Sequence, residues 1–442
     1  LTSAAALVVG LGVTGRAVAR ALVARGATVI TVEDRPTDAH RAFAGDLGVE
    51  LGEAPDDATL AGLLARVEVL LPSPGVPDRH RVFALAAAAG VPVRSEFDLA
   101  EAWDDRPIAA VTGTNGKTTV TTLVADMLRR AGRSVAEAGN VETPLVEAIG
   151  DPTVDVFVVE ASSFRLGHTA HWAPQVAAWL NFAPDHLDVH ADLAGYESAK
   201  ARIWDDQGED DVAVVNADDP VVAAHRGKAR RRTFGFSGDE DATVRGGTLV
   251  VDDRPLLPVD DLRRALRHDQ ANALAAALMA GALGAPDDAI RSTLTTFDGL
   301  AHRVQLIGES GDVAWYDDSK ATTPHATAAA VEAFDSVVLI AGGRNKGLDL
   351  HGLLGGRGSV REVVAIGEAA GDVADAVRDR VAVQEAASMT EAVDRAAAVA
   401  LPGDAVVLSP GCASFDWYTS YGERGDDFTR LVRRHLERVR DR

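Results

Sequence analysis

The stretch Ile108-Ala-Ala-Val-Thr-Gly-Thr-Asn-Gly-Lys-Thr-Thr119 constrains this chain more than any other. A short apolar run leads into a Gly-containing turn, then Lys117 and two threonines, and the helical pattern Val120–Arg130 follows. A strand, turn and helix N-terminus in that order aim several backbone N–H groups at one point, which favours an anion there. Lys117 adds a compact positive charge, and Thr118 a hydroxyl of the kind that ligates Mg²⁺. Gly113, Thr114, Asn115, Gly116, Lys117, Thr118 and Thr119 therefore form a candidate triphosphate cradle. Val111 stands where the general nucleotide loop has its first glycine, so the motif is a variant of that loop.

Lysine usage supports this reading. Only five lysines occur among 44 basic residues, the pattern of a GC-rich genome that writes arginine wherever it can. Lys228 lies in a basic run and reads as a surface residue. Lys117, Lys200, Lys320 and Lys346 sit in Gly-, Ser- or acid-rich motifs. Arginine replaces neither a compact ammonium nor an amine that must lose its proton to react.

Strand-like runs alternate with helical patterns throughout, which predicts parallel α/β architecture. Three sections each begin with a strand feeding a Gly-containing turn. The first runs Ala6–Val9 into Gly10-Leu11-Gly12-Val13-Thr14-Gly15, with a helix Arg16–Arg25 and a strand Thr28–Val32 ending at Glu33-Asp34. The second starts at Ile108. The third runs Val337–Ala341 into Gly342-Gly343-Arg344-Asn345-Lys346-Gly347. The expected division is residues 1–97, 98–300 and 301–442, each part long enough for its own core. The apolar opening Ala4–Val13 lacks a basic leader and a cleavage-like end, so it reads as strand plus loop rather than signal peptide.

A formal charge of −22 argues against nucleic acid or an anionic membrane as the main partner. No apolar run reaches transmembrane length. The single cysteine, Cys412, excludes an intrachain disulfide, reads as a small buried residue and fits a reducing cytoplasm.

The first Gly motif alone reads as a dinucleotide site, with Asp34 taking a ribose hydroxyl. That reading predicts a nicotinamide dehydrogenase and leaves the triphosphate loop unexplained; a nucleotide-linked substrate explains both loops. Val156–Glu160 reads as a buried strand ending in a carboxylate, about where such folds place a Mg²⁺ ligand. Taken alone, Glu160 is equally a solvated strand end. After the apolar run Val176–Leu180 comes Asn181-Phe-Ala-Pro-Asp185-His186-Leu-Asp188, which puts His186 at the same edge. Lys200 lies in a helical pattern whose simplest reading is a solvated face.

Taken in order, these segments resemble the Mur ligase family. The matching stretches are Thr112–Thr119, Glu160-Ala-Ser162-Ser-Phe, Asn181 to Asp188, Lys200, Asn272-Ala-Leu-Ala-Ala, Leu300-Ala-His302-Arg303 and Asp318-Ser-Lys320-Ala-Thr322. Gly342-Gly343 with Lys346, and Ser409-Pro-Gly-Cys412-Ala-Ser414-Phe415, complete the set. The Asp-Ser-Lys-Ala-Thr and Ser-Pro-Gly-Cys-Ala-Ser segments resemble the glutamate-adding branch. The resemblance implies three domains, two Rossmann-like parallel sheets flanking a central P-loop ATPase, with the last domain closing over ATP and the amino acid.

It also implies an ATP-dependent amide ligase that adds D-glutamate to UDP-N-acetylmuramoyl-L-alanine through an acyl phosphate, in peptidoglycan precursor synthesis. Two Mg²⁺ ions, with Mn²⁺ as an alternative, are implied at Thr118, Glu160, His186 and a CO₂-derived carbamate on Lys200. ATP is implied to meet the cradle, Asn272, Arg303 and Asp318. The nucleotide-linked acid falls to Gly12, Val13, Thr14, Asp34, Arg35, Ser73, Asn140, Ser162 and His186. Glutamate falls to Thr322, Lys346, Ser414, Phe415 and Tyr421, with Lys320 positioning the last domain. The family also implies a cytoplasmic monomer. This chain departs from the usual pattern at Glu142, Arg165, Asp269 and Thr323, where the family commonly has glycine, glutamine, asparagine and asparagine. The alternatives are the same chemistry with L-glutamate, a folylpolyglutamate-type ligase and a non-enzymatic nucleotide sensor.

Overall fold

The computed structural model describes residues 5–140, 143–185 and 189–440. These form three α/β domains in two compact units, one running through Phe297 and the other starting at Asp298. The first unit holds two sheets. The smaller is wholly parallel, in the order β3 (Glu50–Glu53), β2 (Val29–Glu33), β1 (Ala6–Val9), β4 (Val69–Pro72). Successive residues of β1 feed opposite cores: Ala6 and Val8 pack with Val18 and Leu22, while Leu7 and Val9 pack with Ile30 and Leu60. A strand buried on both faces must be apolar throughout, which is why this run shows no polar alternation.

The larger sheet has nine strands. Its parallel part contains β5 (Ile108–Thr112), β6 (Val135–Gly139), β7 (Val156–Glu160), β8 (Val176–Trp179), β9 (Val212–Asn216) and β10 (Arg230–Phe234). The spatial order is β10-β9-β8-β5-β7-β6. Ala109 and Val111 of β5 pack under the helices Lys117–Arg130 and Arg267–Ala282, and Ile108 and Ala110 face the opposite core with Phe97 and Phe157. Because β8, β5 and β7 are neighbours, the loops after them meet at one carboxyl edge, where ligands of such sheets bind.

Beyond β10 the sheet continues through β11 (Ala242–Arg245), β12 (Thr248–Val251) and β13 (Arg254–Pro258), which pair antiparallel. Their tight turns sit at Gly246-Gly247 and Asp252-Asp253, all four at positive φ. That is the geometry two-residue hairpins prefer.

The second unit carries six strands, ordered β14 (Gln305–Ser310), β15 (Val313–Asp317), β19 (Ala405–Leu408), β16 (Val337–Gly342), β17 (Val360–Ile366), β18 (Ala382–Ala386). The expectation of a parallel sheet is corrected at its edge: β14 runs antiparallel to β15 through a turn at Gly311-Asp312, both at positive φ. Two helices also begin earlier than expected, at Val13 and at Lys117. In the second case Gly116, at φ 84°, is the N-cap, so Lys117 and Thr118 belong to the first turn. Among the described residues no helix is long and apolar enough to cross a membrane.

Candidate active site

The loop after β5 is closed by its own glycines. Gly113 (φ 153°) and Gly116 (φ 84°) adopt conformations that L side chains rarely take, and a Cβ on Gly116 would come within 2.6 Å of Asn272 Oδ1. Asn181, just past β8, braces the loop: its Oδ1 accepts from Asn115 N (2.8 Å), its Nδ2 donates to Asn115 O (3.1 Å), and its carbonyl accepts from Thr114 N (3.1 Å). Thr114 is held further by Ala183 and by the Tyr196 hydroxyl.

Two lysines converge on this loop. Lys117 Nζ donates to the carbonyls of Gly113 (2.9 Å) and Thr114 (3.0 Å). Lys200 Nζ, from the helix Leu193–Ala201, donates to the same Gly113 carbonyl at 2.8 Å. Lys200 is buried, with its amine over the Tyr196 ring. Burial and the nearby Lys117 charge hold its pKa well below the ordinary lysine value, against smaller opposing pulls from Asp185 and Glu160. A solvated helix face is therefore excluded for Lys200. Lys228 is exposed, and Cys412 is buried with its thiol pushed up to about 11 by burial.

Thr118 Oγ1 donates to Glu160 Oε2 at 2.6 Å, so the hydroxyl of the helix's first turn and the carboxylate at the end of β7 lie side by side. Asn140 Nδ2 donates to the other Glu160 oxygen at 3.0 Å. This pair of hard oxygens fits Mg²⁺, which takes one or two protein carboxylates and completes its shell with phosphate and water. Among the described residues no group of three or more His, Cys, Asp or Glu gathers as a self-sufficient metal cage. Ser162 Oγ is buried near this point in sequence and has no hydrogen-bond partner among the described residues. His186 and Glu142 lie outside the described residues.

Asn272 lines a narrow cavity of about 20 Å³ with Thr119, Arg264 and Asp269. Asp269 accepts from Arg264 Nε (3.1 Å), while its other oxygen is buried and unpartnered among the described residues.

In the smaller domain a cleft of about 420 Å³ is lined by Gly12, Val13, Thr14, Asp34 and Ser73 together with Asn140. Ser73 Oγ donates to Gly10 O at 2.6 Å, and a side chain on Gly15 would overlap that same carbonyl. The carboxylate that reaches the loop is Glu33, which accepts from Leu11 N at 2.9 Å. Asp34 instead pairs with His80 at 2.7 Å, and Arg35 is exposed and does not line the cleft. Glu33, His80 and Arg165 line this cleft too and were missed as site residues. Acid beside acid at a strand end does not reveal which one turns inward.

In the second unit, Arg344 and Ala413 exchange backbone hydrogen bonds. That bridge brings the loop after β16 to the loop after β19, with Lys346 Nζ 5.7 Å from the Phe415 ring centroid and Ser414 buried alongside. Lys320 Nζ lies 5.2 Å from the Tyr421 ring centroid, and Thr322 is half-buried near the helix Pro324–Val331. Asp318 is buried, accepts from Ser409 Oγ (2.7 Å) and Val304 N (3.2 Å), and is pushed up to about 7 by burial. Arg303, whose charge acts weakly on Asp318, is half-buried. His302 Nδ1 meets Asp317 at 2.7 Å, and that hydrogen bond raises its pKa.

Comparison with known proteins agrees along the whole chain. The profile of the Mur ligase MurD-like N-terminal domain matches residues 4–95, that of the Mur ligase middle domain residues 111–280, and that of the Mur ligase glutamate ligase domain residues 302–412. The chain is 42% identical to the UDP-N-acetylmuramoylalanine–D-glutamate ligase of Desulfosudis oleivorans, over 98% of this chain and 96% of that protein. It is also 42% identical to the enzyme of the same name from Frankia casuarinae, over 97% and 93%. Among solved structures, MurF ligase from Thermotoga maritima in complex with ADP superposes with a TM-score of 0.59 at 18% identity, covering 98% of this chain and 95% of that one. At that identity the likeness concerns the fold.

Proposed function

The chain belongs to the Mur ligase family, and from that premise we propose that it is an ATP-dependent amide ligase joining D-glutamate to UDP-N-acetylmuramoyl-L-alanine, in peptidoglycan precursor synthesis in the cytoplasm. The observation that carries this reading is the meeting of Lys117 and Lys200 on the Gly113 carbonyl, beside the Thr118–Glu160 pair. Two amines gathered at one carbonyl, at a helix N-terminus, suit a site built to be filled by anions. The relatives described above are D-glutamate ligases by name, which favours D- over L-glutamate.

The work divides along the chain at about residues 97/98 and 300/301. In the first part, the loop Gly12–Thr14 and Ser73 take the diphosphate of the acid substrate at the N-terminus of the helix Val13–Ala24. Asn140 and Ser162 face its acyl end. In the central part, the backbone of residues 113–116 and Lys117 cradle ATP as a variant P-loop, with Asn272 at the base. Thr118 and Glu160 would hold one Mg²⁺, and His186 with Lys200 as a carbamate a second; bound there, the ions offset phosphate charge. Lys200 suits the modification because burial and the Lys117 charge disfavour its ammonium form and so favour the nucleophilic amine.

The substrate carboxylate attacks the γ-phosphorus in line, forming an acyl phosphate and releasing ADP. Lys117 offsets the charge that builds between the two anions. The glutamate amine, held through Lys346, Thr322, Ser414 and Tyr421, then attacks the acyl carbon. The C–O bond to phosphate breaks from the tetrahedral intermediate, and the amine proton passes to solvent or phosphate. Holding the reactants in place can supply about 7–11 kcal/mol of the barrier reduction.

The test is phosphate release from ATP with each substrate omitted in turn. Release should require both UDP-N-acetylmuramoyl-L-alanine and D-glutamate. Equal release without the amino acid, or with L-glutamate preferred, would contradict the assignment.

A further inference from the structure

Arg165, in the short helix after β7, is a buried arginine whose contacts span both domains of the first unit. Its Nε donates to Glu96 Oε1 (2.6 Å), its Nη2 to Thr14 Oγ1 (2.9 Å) and its Nη1 to Asn140 Oδ1 (3.0 Å). Each partner belongs to a different element. Glu96 opens the helix Glu96–Trp103, Thr14 lies in the helix that follows the first Gly-rich loop, and Asn140 follows β6.

The Asn140 contact has a directional consequence. Its amide has one acceptor and one donor side. Arg165 can only donate, so it holds the oxygen and leaves Nδ2 facing Glu160 Oε1 at 3.0 Å. Turned over, the amide would set its NH₂ against the guanidinium and its oxygen against the Glu160 carboxylate, so both contacts would become repulsive. Glu160 in turn accepts from Thr118 at the phosphate-binding helix. One hydrogen-bonded chain therefore runs Thr14, Arg165, Asn140, Glu160, Thr118, from the wall of the 420 Å³ cleft to the nucleotide loop.

The cleft end of that chain is charged. Among the described residues lining the cleft, Arg165 supplies the guanidinium, while Glu33 and Asp34 are acidic. The bonds to Asn140 and Thr14 use one N–H each of Nη1 and Nη2, and each of these nitrogens carries a second N–H. An anionic group entering the cleft can take those donors without breaking the bond to Asn140.

We propose that Arg165 is a positioning residue that couples occupancy of the nucleotide-diphosphate cleft to the triphosphate site, by fixing the Asn140 amide against Glu160. The inference rests on the function proposed above. Substrate in the cleft immobilises Arg165, the immobilised arginine orders Asn140 and Glu160, and Mg²⁺-nucleotide then binds a pre-formed site. Coupling of this kind is reciprocal.

The experiment measures ADP–Mg²⁺ affinity by calorimetry with and without saturating UDP-N-acetylmuramoyl-L-alanine, in wild type, Arg165→Lys and the double variant Arg165→Gln/Glu96→Gln. Lysine keeps a charge beside Glu96 but lacks the planar fork that bridges Thr14 and Asn140. The double variant removes both buried charges together, so neither is left unpaired. Thermal melts select the variant that remains folded. Wild type should bind ADP–Mg²⁺ at least about fivefold tighter with the acid substrate present. A folded variant should retain less than a twofold effect on ADP–Mg²⁺ affinity when the acid substrate is supplied at a concentration that saturates that variant. Independent binding in wild type, or a variant that keeps the fivefold effect, would overturn the coupling and leave the ligase reading intact. Failure of wild type to bind the acid substrate at all would overturn both.

Discussion

Replacing Lys200 by methionine tests the buried amine at the centre of the site. The ammonium form is disfavoured in the folded state by burial and by Lys117, so the unfolded chain binds more protons at this position. For a base whose pKa is lowered by folding, stability rises with pH, from the folded pKa up to the ordinary value of 10.5. One group titrating in this way contributes a slope of at most about 1.4 kcal/mol per pH unit. Methionine fills similar space with no ionisable atom, and Gly113 O keeps its bond from Lys117.

Urea unfolding in CO₂-free buffer at pH 7, 8 and 9 should therefore show wild type gaining on Lys200→Met as pH rises, with the variant the more stable at pH 7. Bicarbonate should stabilise wild type alone, by about 2.7 kcal/mol at a hundred times its apparent dissociation constant. The variant should lack ligase activity, and short carboxylic acids should partly restore activity to Lys200→Ala by filling the place of a carbamate. Parallel pH curves with equal responses to bicarbonate would refute the reasoning.

Asp318→Asn reads the opposite sign. A carboxyl raised from 3.8 to about 7 contributes stability at low pH that is lost as pH rises through that value. The asparagine variant should thus be the more stable at pH 8, with an upper bound of roughly 4 kcal/mol, and the gap should close toward pH 4. A pH-independent difference in urea unfolding would contradict this. Gly116→Ala puts a Cβ at φ 84° and 2.6 Å from Asn272 Oδ1. The left-handed backbone costs about 1–2 kcal/mol and the overlap about 1–3 kcal/mol. ADP affinity should fall more than tenfold in calorimetry, and binding within twofold of wild type would show that the loop does not hold the phosphates.

How much could be read from the sequence depends on how local the chemistry is. The strand–turn–helix order around 113–119 was legible because strand, glycines, lysine and threonines are contiguous, and the chain folds in that order with Gly116 as the N-cap of the helix at Lys117. Lys200 was singled out by scarcity in an arginine-rich chain, although its surroundings suggested a solvated face; only the packing of its helix against the loop shows that it is buried. The hairpins at Gly246-Gly247, Asp252-Asp253 and Gly311-Asp312 were not anticipated, because short polar turns between weakly apolar strands resemble ordinary loops. The Arg165 chain was out of reach for a different reason. Its partners lie 25, 69 and 151 positions away, and arginine in a buried fork looks the same in sequence as arginine on a surface.

The central claim is that a carboxylic acid is made electrophilic by transfer of a phosphoryl group before the amine arrives. The direct measurement uses UDP-N-acetylmuramoyl-L-alanine labelled with ¹⁸O in its alanine carboxylate, turned over with ATP and D-glutamate. Mass spectrometry of the released phosphate should find one labelled oxygen per molecule formed, with the other retained in the amide. Unlabelled phosphate accompanying amide formation would contradict the account.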